Sequence, residues 1–182
     1  MDYSLLGFTG IKEFFNVHPM FVHFPVALFP TAFFLYVLGT LLGKKSLLFA
    51  GRMSLYLALA GAAVALATGL QAEDSFPHNE VIHHLMATHE FIAWTLLATG
   101  SVLTLWSFWH VDQLPKGSWL FLAVLAFAVY LVLQTADIGG RMVYLEGAAV
   151  KPAVSVIAEK EKADALKESA GSGEEHHHHQ PN

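Results

Sequence analysis

Four apolar runs dominate this chain: roughly residues 20–42, 47–70, 87–109 and 119–136. Each is long enough to cross a bilayer as helix, which takes about 20 residues. Each is nearly free of charge apart from its ends and Arg52, near the start of the second. Backbone polar groups in lipid are satisfied only in helices and closed barrels. The runs are continuous rather than alternating, so the expected class is all-α. The expected architecture is a four-transmembrane-helix bundle, read as two tandem helical hairpins related by a pseudo-two-fold axis along the membrane normal. Composition agrees: 14% of residues are charged, against roughly 25% in ordinary soluble domains. So few charges cannot coat a soluble globule of this size, which argues against a soluble enzyme, and the 54% hydrophobic fraction excludes a disordered chain.

Three segments follow. Residues 1–17 read as an interfacial lead-in carrying Gly7-Phe8 and Phe14-Phe15, without the basic n-region and cleavage site of a signal peptide. Residues 18–150 form the four-helix membrane domain. Residues 151–182 form a polar tail, with a charge-alternating stretch from Glu159 to Glu168, a Gly171-Ser-Gly173 hinge and the tract His176–His179. Such a tract captures metal ions; the plainer reading is a disordered tail. Lys44, Lys45 and Arg52 flank the first loop and Lys116 lies in the third, whereas the second carries Glu73, Asp74 and Glu80 without Lys or Arg. The positive-inside rule then puts the first and third loops in the cytoplasm and both termini on the outer, periplasmic side of a bacterial inner membrane. Lys12, Arg141 and Lys151 count against that orientation.

Histidine is over-represented, with 11 His against 10 Lys+Arg, and there is no cysteine. Four histidines belong to the tail tract, and His110 sits at the inner end of the helices. The other six, His18, His23, His78, His83, His84 and His89, share one membrane face with Asp74, Asp137, Arg141 and Glu146. Absent cysteine removes disulfides, thiolate metal sites and covalently attached haem.

A short repeat relates the halves. His18-x4-His23 opens the first span and His84-x4-His89 the third, 66 positions on; Gln71-x2-Asp74 and Gln134-x2-Asp137 close the second and fourth. Residues five apart on a helix differ by about 140° in direction, so His18 and His23 cannot both face the centre. His18 precedes Pro19, which suits the first helical position, and is expected at the cap. His23 and His89 lie deeper, on spans that can face each other diagonally. Two neutral imidazoles across a bundle suit a non-covalent haem b. Gly61-Ala62-Ala63, Ala65, Ala67 and Gly69 would make room for it, with Phe24, Phe91 and Trp94 at its edges.

His23 and His89 are therefore the expected axial ligands. Arg141 is the expected propionate partner, since Arg binds carboxylates bidentately; an interfacial Arg-Tyr anchor explains it as well. Gly139-Gly140 is expected to end the fourth helix. The same face also admits zinc, copper or non-haem iron on His23 and His89 with His18, His84, Asp74 or Asp137 as further ligands. It admits simple packing too, because small residues on a membrane helix serve close approach. The helix middles offer only Thr31, Ser54, Thr68, Thr99, Ser101 and Thr104, too little for a conducting path.

His18-Pro19-x3-His23-Phe24-Pro25, His89, and Gly139-Gly140-x2-Val143-Tyr144-x2-Gly147-x2-Val150 together resemble a bacterial integral-membrane family, domain of unknown function 2231, over roughly residues 16–150. The resemblance implies four membrane helices, with His18, His23 and His89 at the family's histidine positions. Some members are fused to Rieske or cytochrome c domains, which implies respiratory electron transfer. The expected function is a b-type haem protein or subunit relaying electrons near the outer face, with quinone, cytochrome c or a Rieske-type protein as partner. A metal-ion-binding membrane protein and a structural subunit of a respiratory complex are the alternatives. Catalysis by this chain alone is not expected, nor is nucleic acid as a partner; a homo-oligomer or a larger complex is.

Overall fold

A computed structural model of the chain describes residues 16–75, 79–108 and 118–150, and parts of 155–165. Residues 1–15, most of the lead-in, lie outside the described residues, as do residues 166–182 of the tail. The elements are α1 (His18–Phe21), α2 (His23–Leu41), α3 (Lys45–Ala72), α4 (Glu80–Phe108) and α5 (Ser118–Tyr144), with a 3-10 turn at Glu73–Ser75. All described secondary structure is helical. The first two elements form one span, so four spans are long and apolar enough to cross a membrane.

Local chemistry sets the boundaries. Pro19 starts α1, where its missing N–H costs nothing. Gly43, at φ 61°, ends the first span in the left-handed conformation, and the Lys44 N–H closes onto the Gly39 carbonyl. Asn79 caps α4, its Oδ1 accepting from the Ile82 N–H at 2.9 Å. One expectation is overturned here. Gly139-Gly140 does not end the last helix, which runs on to Tyr144. The chain turns instead at Gly147 (φ 70°) and Ala149 (φ 58°), burying Ala148.

The spans form a four-membered ring: α2 packs on α3 and α5, and α4 packs on the same two. The first and third spans are therefore diagonal, as the sequence suggests. The burial pattern repeats between hairpins. Pro25, Phe29, Ala32 and Tyr36 in α2 are matched 71 positions on by Leu96, Gly100, Leu103 and Ser107 in α4. Leu55, Ala58, Ala62 and Ala65 in α3 are matched 70 positions on by Leu125, Ala128, Val132 and Thr135 in α5. The two-hairpin repeat is real in the packing, but its register is not the one read from the His-x4-His motifs.

The bundle is solid at the end beside Gly43 and hollow at the end carrying His18 and Tyr144. At the solid end, Tyr36 and Trp106 both meet Phe121 edge-on, with ring centroids 5.0 and 5.6 Å apart. Arg52 is buried beside them, its guanidinium 5.4 Å from the Phe49 ring. Toward the other end the facing residues shrink to Ala62, Ala65, Gly69, Ala93, Gly139 and Gly140, and a cavity of about 850 Å³ opens between all four spans.

Candidate functional site

The cavity between the four spans is the candidate site. Its volume lies within the roughly 300–1,000 Å³ of small-molecule and cofactor pockets. Its walls are mostly apolar, and its polar groups include His18, His23, Glu73, His89, Glu90 and Thr135. Several hydroxyls in the spans bond their own helices: Thr31 donates to the Ala27 carbonyl at 2.8 Å, Thr95 to that of Phe91 at 2.8 Å, and Ser101 to that of Leu97 at 2.8 Å. Such back-bonding spends the hydroxyl within its own turn.

His18 and His89 are the pair brought together. Their ring centroids are 6.3 Å apart and their planes nearly perpendicular, at 84°. His23, the expected partner of His89, is exposed at the cavity's edge. The physical reason is helical register: His18 lies seven residues before Pro25, on the stripe it shares with the buried Pro25, Phe29, Ala32 and Tyr36, and Val22 between the two histidines keeps helical dihedrals (φ −61°, ψ −25°). His23, five residues after His18, is turned about 140° away. Under the 71-position register His18 is also the true counterpart of His89.

Each imidazole rests on a glycine of its own hairpin. A Cβ at Gly69 would stand 3.1 Å from His18 Cε1, and one at Gly139 would stand 3.6 Å from His89 Cε1. These glycines admit a ring against the neighbouring helix, which explains why Gly139 belongs inside α5 rather than at its end. His18 Nδ1 donates to the Ala65 carbonyl oxygen at 2.8 Å and lies 3.4 Å from Thr68 Oγ1. A carbonyl can only accept, so Nδ1 carries the proton, and in the neutral ring Nε2 keeps its lone pair. Anchoring one nitrogen to leave the other as ligand is how proteins present histidine to metals. On the other side, the Thr135 backbone lies beside the His89 ring, but His89 Nδ1 is buried without a hydrogen bond.

The remaining sequence candidates do not join this pair. His84 is exposed and lines a separate shallow surface depression with His83 and Phe91. Asp137 and Arg141 are exposed and are not among the residues that line the cavity. Of Asp74 only the backbone is described, and His78 lies outside the described residues. Ala62, Ala65 and Gly69 line the cavity as expected, but Ala63, Ala67, Phe24 and Trp94 are exposed. Among the described residues no three His, Asp or Glu side chains converge as a metal-binding group.

A family model, described as a predicted membrane protein of domain of unknown function 2231, matches residues 15–152. The chain belongs to this family. It is thus a multi-pass membrane protein of the domain-of-unknown-function 2231 family, and its lipid-facing surface contacts the bilayer. The match takes in all four spans, both histidines and the closing turn at Gly147. No curated protein and no solved structure matches the chain.

Two donors facing each other set a specific demand. A zinc or non-haem iron centre asks the protein for three or four ligands; a haem brings four nitrogens and asks for one or two. Two imidazole nitrogens each about 2 Å from a shared metal put their ring centroids roughly 6 Å apart. The observed pair has that separation, lines a cavity of cofactor size, and has one nitrogen already anchored. The residues fit a haem better than a bare metal ion.

Proposed function

We propose that this membrane protein binds one non-covalent haem b between His18 and His89 and relays electrons near the outer face of the bacterial inner membrane. The observation that carries this reading is the perpendicular histidine pair at 6.3 Å, set in the outer cavity with His18 anchored through Nδ1. The chain has no cysteine, so attachment rests on ligation and packing alone. Bound there, the group supplies a reversible one-electron couple.

The chain's own residues do the rest. His18 and His89 hold the site from two diagonal spans. Gly69 and Gly139 admit the rings, Ala62, Ala65 and Ala93 clear space, and the aromatic plug of Tyr36, Trp106 and Phe121 closes the inner end to water. The cavity's connection to the outer half of the bundle favours a membrane-soluble quinone, a cytochrome c or a Rieske-type protein as exchange partner, within a homo-oligomer or a larger complex. The charge of the loops supports an orientation with both termini outside.

Absorption spectroscopy of protein purified from haem-supplemented cells tests the reading. A Soret band at one haem per chain, shifting on reduction and lost in the double variant His18→Ala/His89→Ala, is the expected result. A colourless, folded protein overturns it.

A further inference from the structure

The cavity has a polar anchor besides its histidines, at its mouth. Asn16 stands just ahead of the first helical turn, which begins at His18, and lines the same cavity. Its carboxamide is tied to the end of α3: Nδ2 donates to Ser75 Oγ at 3.2 Å, and Ser75 Oγ donates to the Ala72 carbonyl at 2.6 Å. This chain of bonds fixes which way the amide points. A hydroxyl has a single hydrogen, and that of Ser75 is spent on Ala72, so Ser75 can only accept from Asn16. Nδ2 therefore faces Ser75, and Oδ1 is the end left over. It is buried and accepts no hydrogen bond among the described residues. Buried polar groups nearly always have partners, so an acceptor kept unpaired at a cavity wall marks where a ligand brings a donor.

The charges around Asn16 narrow the ligand group. The ionisable residues of the cavity wall are His18, His23, Glu73, His89, Glu90 and Tyr144, with no Lys or Arg among the described ones. Glu73 belongs to the same 3-10 turn as Ser75. A carboxyl group at Asn16 thus has carboxylates for company and no fixed cation, which favours its neutral acid over its anion. Oδ1 makes the same selection. It accepts from an acid O–H, whereas a carboxylate offers only acceptors and would meet it lone pair to lone pair.

A haem carries its two propionates on one edge. The macrocycle belongs in the apolar interior and that edge at the mouth, because burying carboxyl groups unpaired is costly. Resting on the haem reading, we propose that Asn16 holds one haem propionate as the neutral acid, with Oδ1 accepting from its O–H. Ser75 is then a positioning residue: its bond to Nδ2 keeps Oδ1 turned to the ligand.

Titration of the apoprotein in detergent with haem b and with haem b dimethyl ester, followed at the Soret band, is the test. The ester has the same ring and iron but no acid O–H. Wild type is expected to prefer haem b over the ester. Asn16→Leu and Asn16→Ala, one filling and the other emptying the place of the amide, are both expected to reduce that preference about tenfold, the scale of one net hydrogen bond. Comparing ratios cancels every other effect of esterification, because the variants share it with wild type. A preference unchanged in both variants overturns the inference, since a merely structural Asn16 weakens the two ligands alike. A wild type that shifts the Soret band of neither ligand overturns the haem reading itself.

Discussion

Gly69 lies under His18 so closely that a Cβ there would stand 3.1 Å from the imidazole Cε1, inside ordinary contact distance. Ala at this position must push the ring from the Ala65 carbonyl it donates to at 2.8 Å. Gly69→Ala is therefore expected to lower haem retention by about tenfold, the scale on which an outer hydrogen bond orients a ligand. Gly139→Ala places its Cβ 3.6 Å from His89, an ordinary contact, and is expected to retain haem. The haem-to-protein ratio after gel filtration in detergent separates the two variants.

His23 provides the contrast with His18. It is exposed at the helix start, while His18 faces His89 at 6.3 Å. His23→Ala is expected to leave the absorption spectrum and haem content unchanged, whereas His18→Ala is expected to lose most of the haem. A loss in His23→Ala comparable to that in His18→Ala contradicts the assignment of the ligand pair.

The four spans were legible because continuous apolar runs have few other uses. The diagonal arrangement followed from having four of them in one antiparallel bundle. The pairing of histidines was harder to read. His-x4-His occurs twice, and matching the motifs aligns His23 with His89. Which of two histidines five residues apart faces the axis is set by the buried stripe of the span, and His18 shares that stripe with Pro25, Phe29, Ala32 and Tyr36 whereas His23 does not. The better signal was in the other helices: Leu55 with Leu125, Ala58 with Ala128, and Gly69 with Gly139 all share a 70-position spacing. The end of the last helix was hard to read for a different reason. Gly139-Gly140 reads as a helix end, but inside a bundle such residues also serve close approach, and α5 continues for another turn.

The core beneath the site depends on one close crossing. A Cβ at Gly100 would stand 3.1 Å from Phe29 Cζ and 3.2 Å from Leu59 Cδ1, and Phe29 is fully buried. Gly100→Val overpacks this junction, and strain of this kind costs typically about 1–3 kcal/mol. Phe29→Ala empties it, at about 3–5 kcal/mol by the soluble-protein scale. Both are expected to lower the thermal midpoint in detergent, Phe29→Ala by more. An unchanged midpoint in both would mean that the spans do not cross here.

The absence of cysteine makes orientation directly measurable, because a single introduced thiol is the only one present. Lys44 follows the first span at the end away from the cavity and is exposed; Tyr144 ends α5 at the cavity end and is exposed. Lys and Arg cluster beside the first loop, and such clusters stay on the cytoplasmic side. In whole cells opened only at the outer membrane, a membrane-impermeant maleimide is therefore expected to label Tyr144→Cys. Lys44→Cys should react only after the inner membrane is disrupted. The reverse pattern would place the histidine cavity on the cytoplasmic side, and any exchange partner would then have to be a cytoplasmic protein or a quinone rather than a periplasmic cytochrome. Because His18, His89 and Tyr144 all line the same cavity at one end of the bundle, this labelling result fixes the side of that cavity whatever occupies it.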